Sequence, residues 1–362
     1  MTFKKNYSIF IFFIAFISFA QKNKELYHYA GRIEKFKDEK VFLIGSASSV
    51  SFAFTGNSCK VALQSMDTYE HPNYISLELD GKYIGRLKVE QGELKNYNIP
   101  ILNKNKQHHL TIYKATEAAN GAVLFSGTTA KVIPSIIKKK KKIEFIGDSI
   151  TCGFGNDTSA TACGEGQWFD QHNAYYSYAS ILSRKLNTDF VLSSVSGIGM
   201  YRNWNDEHQN EAIMPDVYEN LYLNKDSFKT YNFDFQPDII SICLGTNDLS
   251  NGDGIKNRLA FNEEKYISNY INFIKTVYKH APKTRIILLN SPMVSGEKNI
   301  VLLRCLNKVI QAFENDKEHK PISLFEFHPM SPKGCGYHPD INDDKVMANQ
   351  LFPVFKKLLN EK

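Results

Sequence analysis

Four short polar blocks hold the residue types that acyl transfer requires, and each follows or closes an apolar run. The first, Phe145-Ile146-Gly147-Asp148-Ser149-Ile150-Thr151, reads as a strand running into Gly-Asp-Ser. A serine at such a turn is exposed where a nucleophile is needed, and the backbone N–H groups there can face a developing oxyanion. The same tripeptide is also an ordinary strand-to-helix turn with Asp148 as cap. The second block, Ser194-Val195-Ser196-Gly197-Ile198-Gly199, places Gly197 where a backbone N–H can approach a substrate, or simply in a tight turn. In the third, Leu244-Gly245-Thr246-Asn247-Asp248, Asn247 is an amide donor for an oxyanion or an Asx-turn residue. The fourth, Cys335-Gly336-Tyr337-His338-Pro339, offers His338 as general base to Ser149, with His328 a nearby competitor.

These blocks need a scaffold that gathers strand ends, and the second half of the chain predicts one. Apolar runs at 143–146, 190–195, 238–244, 286–289 and 322–327 suit buried parallel strands. Helical stretches lie between them at 174–186, 263–280 (stopped by Pro282) and 300–313, and 343–359 closes the chain with Pro353 expected to kink or divide it. Strand–helix alternation implies a parallel sheet covered on both faces, with the ligand site beyond the carboxyl ends of its strands. Residues 27–135 differ. Phe52-Ala53-Phe54, 74–79 and 109–113 alternate or cluster as half-buried strands do, punctuated by Thr55-Gly56-Asn57 and Asp80-Gly81. This segment predicts an all-β sandwich, joined through a basic linker at 136–142 to a second domain over 143–362.

In their order and at these strand ends, the four blocks resemble the SGNH (GDSL-type) hydrolases. The preceding sandwich narrows the resemblance to carbohydrate esterase family 2, whose members pair a jelly-roll N-domain with a flavodoxin-like SGNH domain and deacetylate polysaccharides such as xylan and glucomannan. The resemblance implies Ser149 as nucleophile, His338 as base, and an oxyanion hole from Ser149, Gly197 and Asn247. It implies an acetylated polysaccharide or oligosaccharide as substrate and no cofactor. The chain departs from the family in one place. An aspartate usually stands three residues before the histidine, and here that residue is Cys335, followed by Gly336. A Ser-His dyad is therefore expected, with a backbone carbonyl from Gly334 to Gly336 holding the imidazole, or else Asp340 or Asp343 reaching back to it. Trp168, Trp204 and Tyr337 are candidate sugar platforms, each also a reasonable packing residue. Two alternatives stay open: an esterase or lipase on lipids or small esters, and a non-catalytic carbohydrate-binding protein.

Composition bounds the rest. The chain has 362 residues, 43% of them hydrophobic and 23% charged, as in globular proteins of about two domains. Of its 44 basic residues, seven lie in Lys4-Lys5 and in Lys138 to Lys142; without them the chain is neutral, so no nucleic-acid footprint is expected. Lys4-Lys5, the apolar stretch 9–19 and Ser18-Phe19-Ala20 read as a signal peptide over 1–20, which implies a secreted or periplasmic protein with no integral membrane segment once cleaved. Export permits disulfides, and the expected pairings are Cys152–Cys163 and Cys305–Cys335, with Cys243 a buried thiol. Asp340, Asp343 and Asp344 read as caps of the last helix or as a cation loop. No Cys/His spacing suggests zinc, and no metal is expected.

Overall fold

Burial along the N-terminal strands follows their alternating sequence. In Cys59–Met66, Cys59, Val61, Leu63 and Ser65 are buried, and the residues between them face outward. The computed structural model describes residues 24–67, 71–101, 105–136, 139–226 and 228–361, so the expected signal peptide and Lys138 lie outside it. One antiparallel sheet runs in the order 131–133, 49–55, 107–114, 73–79, 82–89, with His28–Ala30 also paired to 49–55. The second runs 33–35, 41–43, 122–128, 59–66, 95–99. Val50, Phe52, Val61, Leu63, Ile112 and Phe125 fill the space between them. The Asp80-Gly81 turn joins 73–79 to 82–89, both of its residues at positive φ (52° and 75°), as a two-residue hairpin requires.

The remainder is a parallel sheet of β1 (Lys142–Gly147), β2 (Asp189–Ser194), β3 (Ile239–Cys243), β4 (Arg285–Leu289) and β5 (Ser323–Phe325), in the order 2-1-3-4-5. Every residue of the central β3 is buried, consistent with a strand covered on both faces. Among the described residues six α-helices complete the domain: α1 (Ser149–Cys152), α2 (Tyr178–Leu186), α3 (Met214–Val217), α4 (Glu263–His280), α5 (Gly296–Gln311) and α6 (Ile341–Asn360). α2 and α6 pack on one face through Tyr178, Leu182, Met347 and Leu351, and α4 and α5 on the other through Tyr270, Phe273, Leu302 and Leu306. α5 starts before the expected 300 because its first turn is exposed and polar and carries no apolar stripe. The expected division of the last helix at Pro353 does not occur. Pro353 and Asn349 are both on the exposed side of α6, so the carbonyl that loses its partner to the proline faces water. Asp340 and Asp343 form a capping box at the start of α6.

The two domains share their cores. Ile44, Ala118 and Ala122 of the sandwich join the cluster under α4 and α5, while Ala47 and Tyr113 join the one under α2 and α6. Arg32, fully buried, passes from the sandwich into the parallel-sheet domain. It donates to Ser193 Oγ (3.1 Å) and to the carbonyls of Asn220 (2.6 Å) and Tyr218 (3.0 Å), with its guanidinium 4.1 Å from the Tyr231 ring centre. Ser193 in turn donates to the buried Glu144 carboxylate at 2.6 Å. In the lysine run, Lys142 opens β1, and Lys141 pairs with Asp238 at 2.8 Å.

Candidate active site

The sheet order reverses direction between β1 and β3, and loops at such a switch point open a crevice at the carboxyl ends of the strands. Ser149 lies there as the first residue of α1, so its N–H has no partner within the helix. Asp148 is the N-cap, accepting from the Ile150 N–H at 3.1 Å. Ser149 Oγ donates to His338 Nε2 at 2.7 Å, and His338 Nδ1 donates to the Gly336 carbonyl at 2.8 Å, an arrangement that sets the tautomer. Asp340 and Asp343 do not reach the imidazole. Asp340 caps α6, and the Asp343 carboxylate accepts from the N–H groups of Lys333 and Asp340. Gly336 achieves its aim by a left-handed turn (φ 60°), and Tyr337 beside it has φ 62°. Burial lowers the His338 pKa, opposed in part by the Gly336 and Cys335 carbonyls. The imidazole is thereby kept neutral and able to accept a proton near pH 7.

The second and third blocks meet the first around this pair. Gly197 has φ 76°, which favours glycine, and a Cβ there would find only Trp204 Cβ, at 4.0 Å, so its face is open. Asn247 Nδ2 donates to the Ile198 carbonyl at 2.8 Å and, more loosely, to Asp148 Oδ2 at 3.3 Å. Burial raises the Asp148 carboxyl to about 7. Asp248, also buried and raised to about 6, accepts from the N–H groups of Met200, Tyr201 and Arg202, tying the loop after β2 to the loop after β3. Asp248 stood beside Asn247 in the sequence, but only the fold reveals its three donors.

The histidine loop is fastened by bonds the sequence did not reveal. The disulfide is Cys163–Cys335, not either expected pair; Cys152 and Cys305 are free and buried. Cys152 lies in α1 beneath the sheet end, with its thiol on Ser194 Oγ, and Cys305 faces the core from α5, so neither can meet Cys163 or Cys335. Cys243 is a buried thiol. Cys335 N–H also donates to the Gly155 carbonyl (2.9 Å), and Gly334 N–H to the His338 carbonyl (2.7 Å). His328 is exposed, its N–H on Gln350 Oε1.

The three aromatic candidates sit differently: Trp168 reaches His338 through Phe154, Trp204 lies against Gly197, and Tyr337 directly precedes His338 in the chain. Trp168 stacks on Phe154 (ring centres 6.3 Å apart, 21° between planes), and Phe154 lies 4.5 Å from the His338 ring. Trp204 N–H donates to the Gly197 carbonyl at 2.8 Å. Trp168 is 45% exposed, Trp204 46% and Tyr337 85%, so each has ring surface to offer. Among the described residues no group of three or more His, Cys, Asp or Glu side chains is arranged to hold a metal ion, and no helix is long and apolar enough to cross a membrane.

Comparison with known proteins agrees with this architecture. Residues 29–135 match the family model for the carbohydrate esterase 2 N-terminal domain, and residues 145–319 match that for the GDSL-like lipase/acylhydrolase family. An acetylxylan esterase/glucomannan deacetylase of Cellvibrio japonicus is 28% identical over 264 residues, covering 71% of each chain. The cellulase/esterase CelE of Acetivibrio thermocellus is 28% identical over 322 residues, 87% of this chain and 37% of that one. The structure of a family two carbohydrate esterase from Clostridium thermocellum in complex with cellohexaose superposes with a TM-score of 0.81 at 26% identity, covering 92% of this chain and 99% of that one. With a sandwich of that family's N-terminal type leading into a GDSL-type domain, the chain belongs to carbohydrate esterase family 2 of the SGNH hydrolases.

Proposed function

We propose that this carbohydrate esterase is exported and removes O-acetyl groups from a plant-type polysaccharide such as xylan or glucomannan, through a Ser149–His338 dyad and an acetyl-enzyme. The observation that carries the reading is the chain of two hydrogen bonds from Ser149 Oγ through the imidazole to the Gly336 carbonyl. Ser149 Oγ attacks the acetyl carbonyl carbon as its proton passes to His338 Nε2. The oxyanion is held by the N–H groups of Ser149 and Gly197 and by Asn247 Nδ2, whose 3.3 Å contact to Asp148 is the weaker of its two bonds and the one to yield. Collapse expels the sugar oxygen, which takes the proton from His338. Water then attacks the acetyl-enzyme by the same path, returning acetate and free Ser149.

Trp168, Trp204 and Tyr337 would supply ring faces for pyranose units around the acetyl group. Names of relatives support the substrate class, since one is an acetylxylan esterase/glucomannan deacetylase. Export is supported by the basic and apolar segments within 1–20 and by the Cys163–Cys335 disulfide, which needs an oxidising compartment to persist. We read 27–135 as the sandwich unit, 136–142 as the join and 143–362 as the catalytic unit. Acetate release from acetylated xylan, glucomannan and peptidoglycan tests the proposal. Release from the plant polymers that Ser149→Ala abolishes is expected. Turnover confined to long-chain acyl esters, or glycan binding with no acetate from any polymer, would replace this reading.

A further inference from the structure

Between the sandwich strands 107–114 and 122–128, residues 115–121 wedge beneath the active site. Glu117, at the tip of this wedge, is 1% exposed although its side chain is acidic. Its Oε2 accepts from the Ser196 N–H at 2.7 Å and from the Cys152 thiol at 3.5 Å. Ser196 immediately precedes Gly197, and Cys152 belongs to the four-residue helix that begins at Ser149. One oxygen atom from the other domain thus grips both the glycine loop and the nucleophile's helix. Cys152 is the acceptor's minor partner, since its thiol also lies 3.2 Å from Ser194 Oγ.

We infer that Glu117 is a positioning residue for the oxyanion hole, fixing the direction of the Gly197 N–H relative to Ser149. The inference rests on the reading of Ser149 and Gly197 proposed above. A buried carboxylate stripped of water would be a poor choice for mere adhesion between domains, because its desolvation is costly. The surroundings make it tenable. Lys114, also fully buried, donates from Nζ to the backbone carbonyls of Thr116 (3.3 Å) and Glu117, which ties down the backbone of the wedge; burial lowers the Lys114 pKa to about 7 and raises that of Glu117, each shift opposed by the other group. Ala118 packs in the same core cluster as Ile146 of β1 and Ile198 of the glycine loop, which limits how far the wedge can shift. The sandwich would therefore be part of the catalytic apparatus even though none of its residues touches the reacting atoms.

The second carboxylate oxygen, Oε1, is buried with no protein partner among the described residues. This asymmetry gives the test its discrimination. Glu117→Gln can keep an oxygen at the Oε2 position and put its amide nitrogen where Oε1 now has no partner. Glu117→Asp keeps the carboxyl group but withdraws the oxygen by one methylene. With 4-nitrophenyl acetate, which avoids polysaccharide contacts, Glu117→Gln should hold kcat within about threefold of wild type, while Glu117→Asp and Glu117→Ala should lower kcat by about 10- to 100-fold with KM within about twofold, less than deletion of an oxyanion donor itself. The acid-limb midpoint of the pH profile should not move, since Glu117 makes no contact with His338. Wild-type kcat in folded Glu117→Asp, or in folded Glu117→Ala, would overturn the inference, and so would a loss in Glu117→Gln equal to that in Glu117→Asp or a shifted acid limb. If Glu117→Ala does not fold, Glu117→Asp and Glu117→Gln decide. Ser149→Ala in the same assay separates the two levels: an active Ser149→Ala removes the underlying reading, whereas an inactive one beside a fully active Glu117→Asp removes only the role of Glu117.

Discussion

Replacing both Cys163 and Cys335 by serine should loosen the histidine loop and lower the stability of the whole chain. The bond joins segments 172 residues apart, and in the chain-entropy treatment closing a loop of that length is worth at most about 5 kcal/mol. Native-state relaxation reduces such values, so a loss of about 2–5 kcal/mol is expected. With an unfolding entropy of roughly 2.1 cal/mol/K per residue over 362 residues, this corresponds to a melting temperature lower by about 3–7 °C. The kinetic effect follows from position. Cys335 directly precedes Gly336, whose carbonyl holds His338 Nδ1, but the loop retains the Cys335–Gly155 and Gly334–His338 backbone bonds. Partial misplacement of the base should therefore lower kcat by about tenfold, less than the roughly hundredfold that a full 1 Å displacement can bring. Thermal melts of wild type and the double variant, with and without reductant, measure the first effect. Acetate release well below the melting range measures the second. Denatured, unreduced wild type should present four titratable thiols, from Cys59, Cys152, Cys243 and Cys305. Six thiols, or melting and kcat that neither reduction nor substitution changes, would refute the reasoning.

Asn247→Ala should lower kcat by about 10²–10³ with a smaller change in KM, because the amide bonds most strongly to the charge of the transition state; steady-state kinetics reporting a pure KM effect would make Asn247 a substrate-binding residue instead. Activity should fall as pH drops, because protonated His338 cannot accept the serine proton. Since burial lowers this group's pKa, the midpoint of the acid limb of kcat/KM should lie below the ordinary histidine value of about 6.5, and a midpoint above it would point to a carboxylate partner. Arg32→Ala should destabilise the chain by about 3–5 kcal/mol in denaturant unfolding, since it strips the buried Ser193–Glu144 pair of its cation and leaves two carbonyls unpaired; a change below 1 kcal/mol, on the order of a surface substitution, would contradict the buried network.

What was legible in the sequence was whatever depends on local pattern. Buried parallel strands advertise themselves as apolar runs, so β1 to β4 fall within a residue or two of expectation, and the helix at Glu263–His280 falls where its stripe and Pro282 put it. The polar blocks at strand ends were visible because Gly, Ser, Asn and His are conspicuous after apolar residues. The Gly336 carbonyl was within reach of reasoning for a related reason: a missing acid and flanking glycines left few acceptors. What could not be read was long-range partnership. Cys163 and Cys335 are brought together by the packing of two loops, and no spacing rule distinguishes that pair from the others. Nothing in the sequence marks Glu117 or Arg32 for burial, because charge in sequence gives no sign of burial at a domain boundary. Asp248 likewise gained its role only when the loop after β2 folded over it. The exposed first turn of α5 and the solvent-facing Pro353 show the same limit on a smaller scale, since each depends on which side of a helix meets water.

The most direct test of the central claim is the covalent intermediate. After mixing with 4-nitrophenyl acetate and rapid acid quench, intact-mass and peptide analysis should find one acetyl group added, located on Ser149 and absent from Ser149→Ala, which should also release no acetate from polysaccharide. An acetyl group mapped to another residue, or a folded Ser149→Ala that deacetylates at the wild-type rate, would contradict the account.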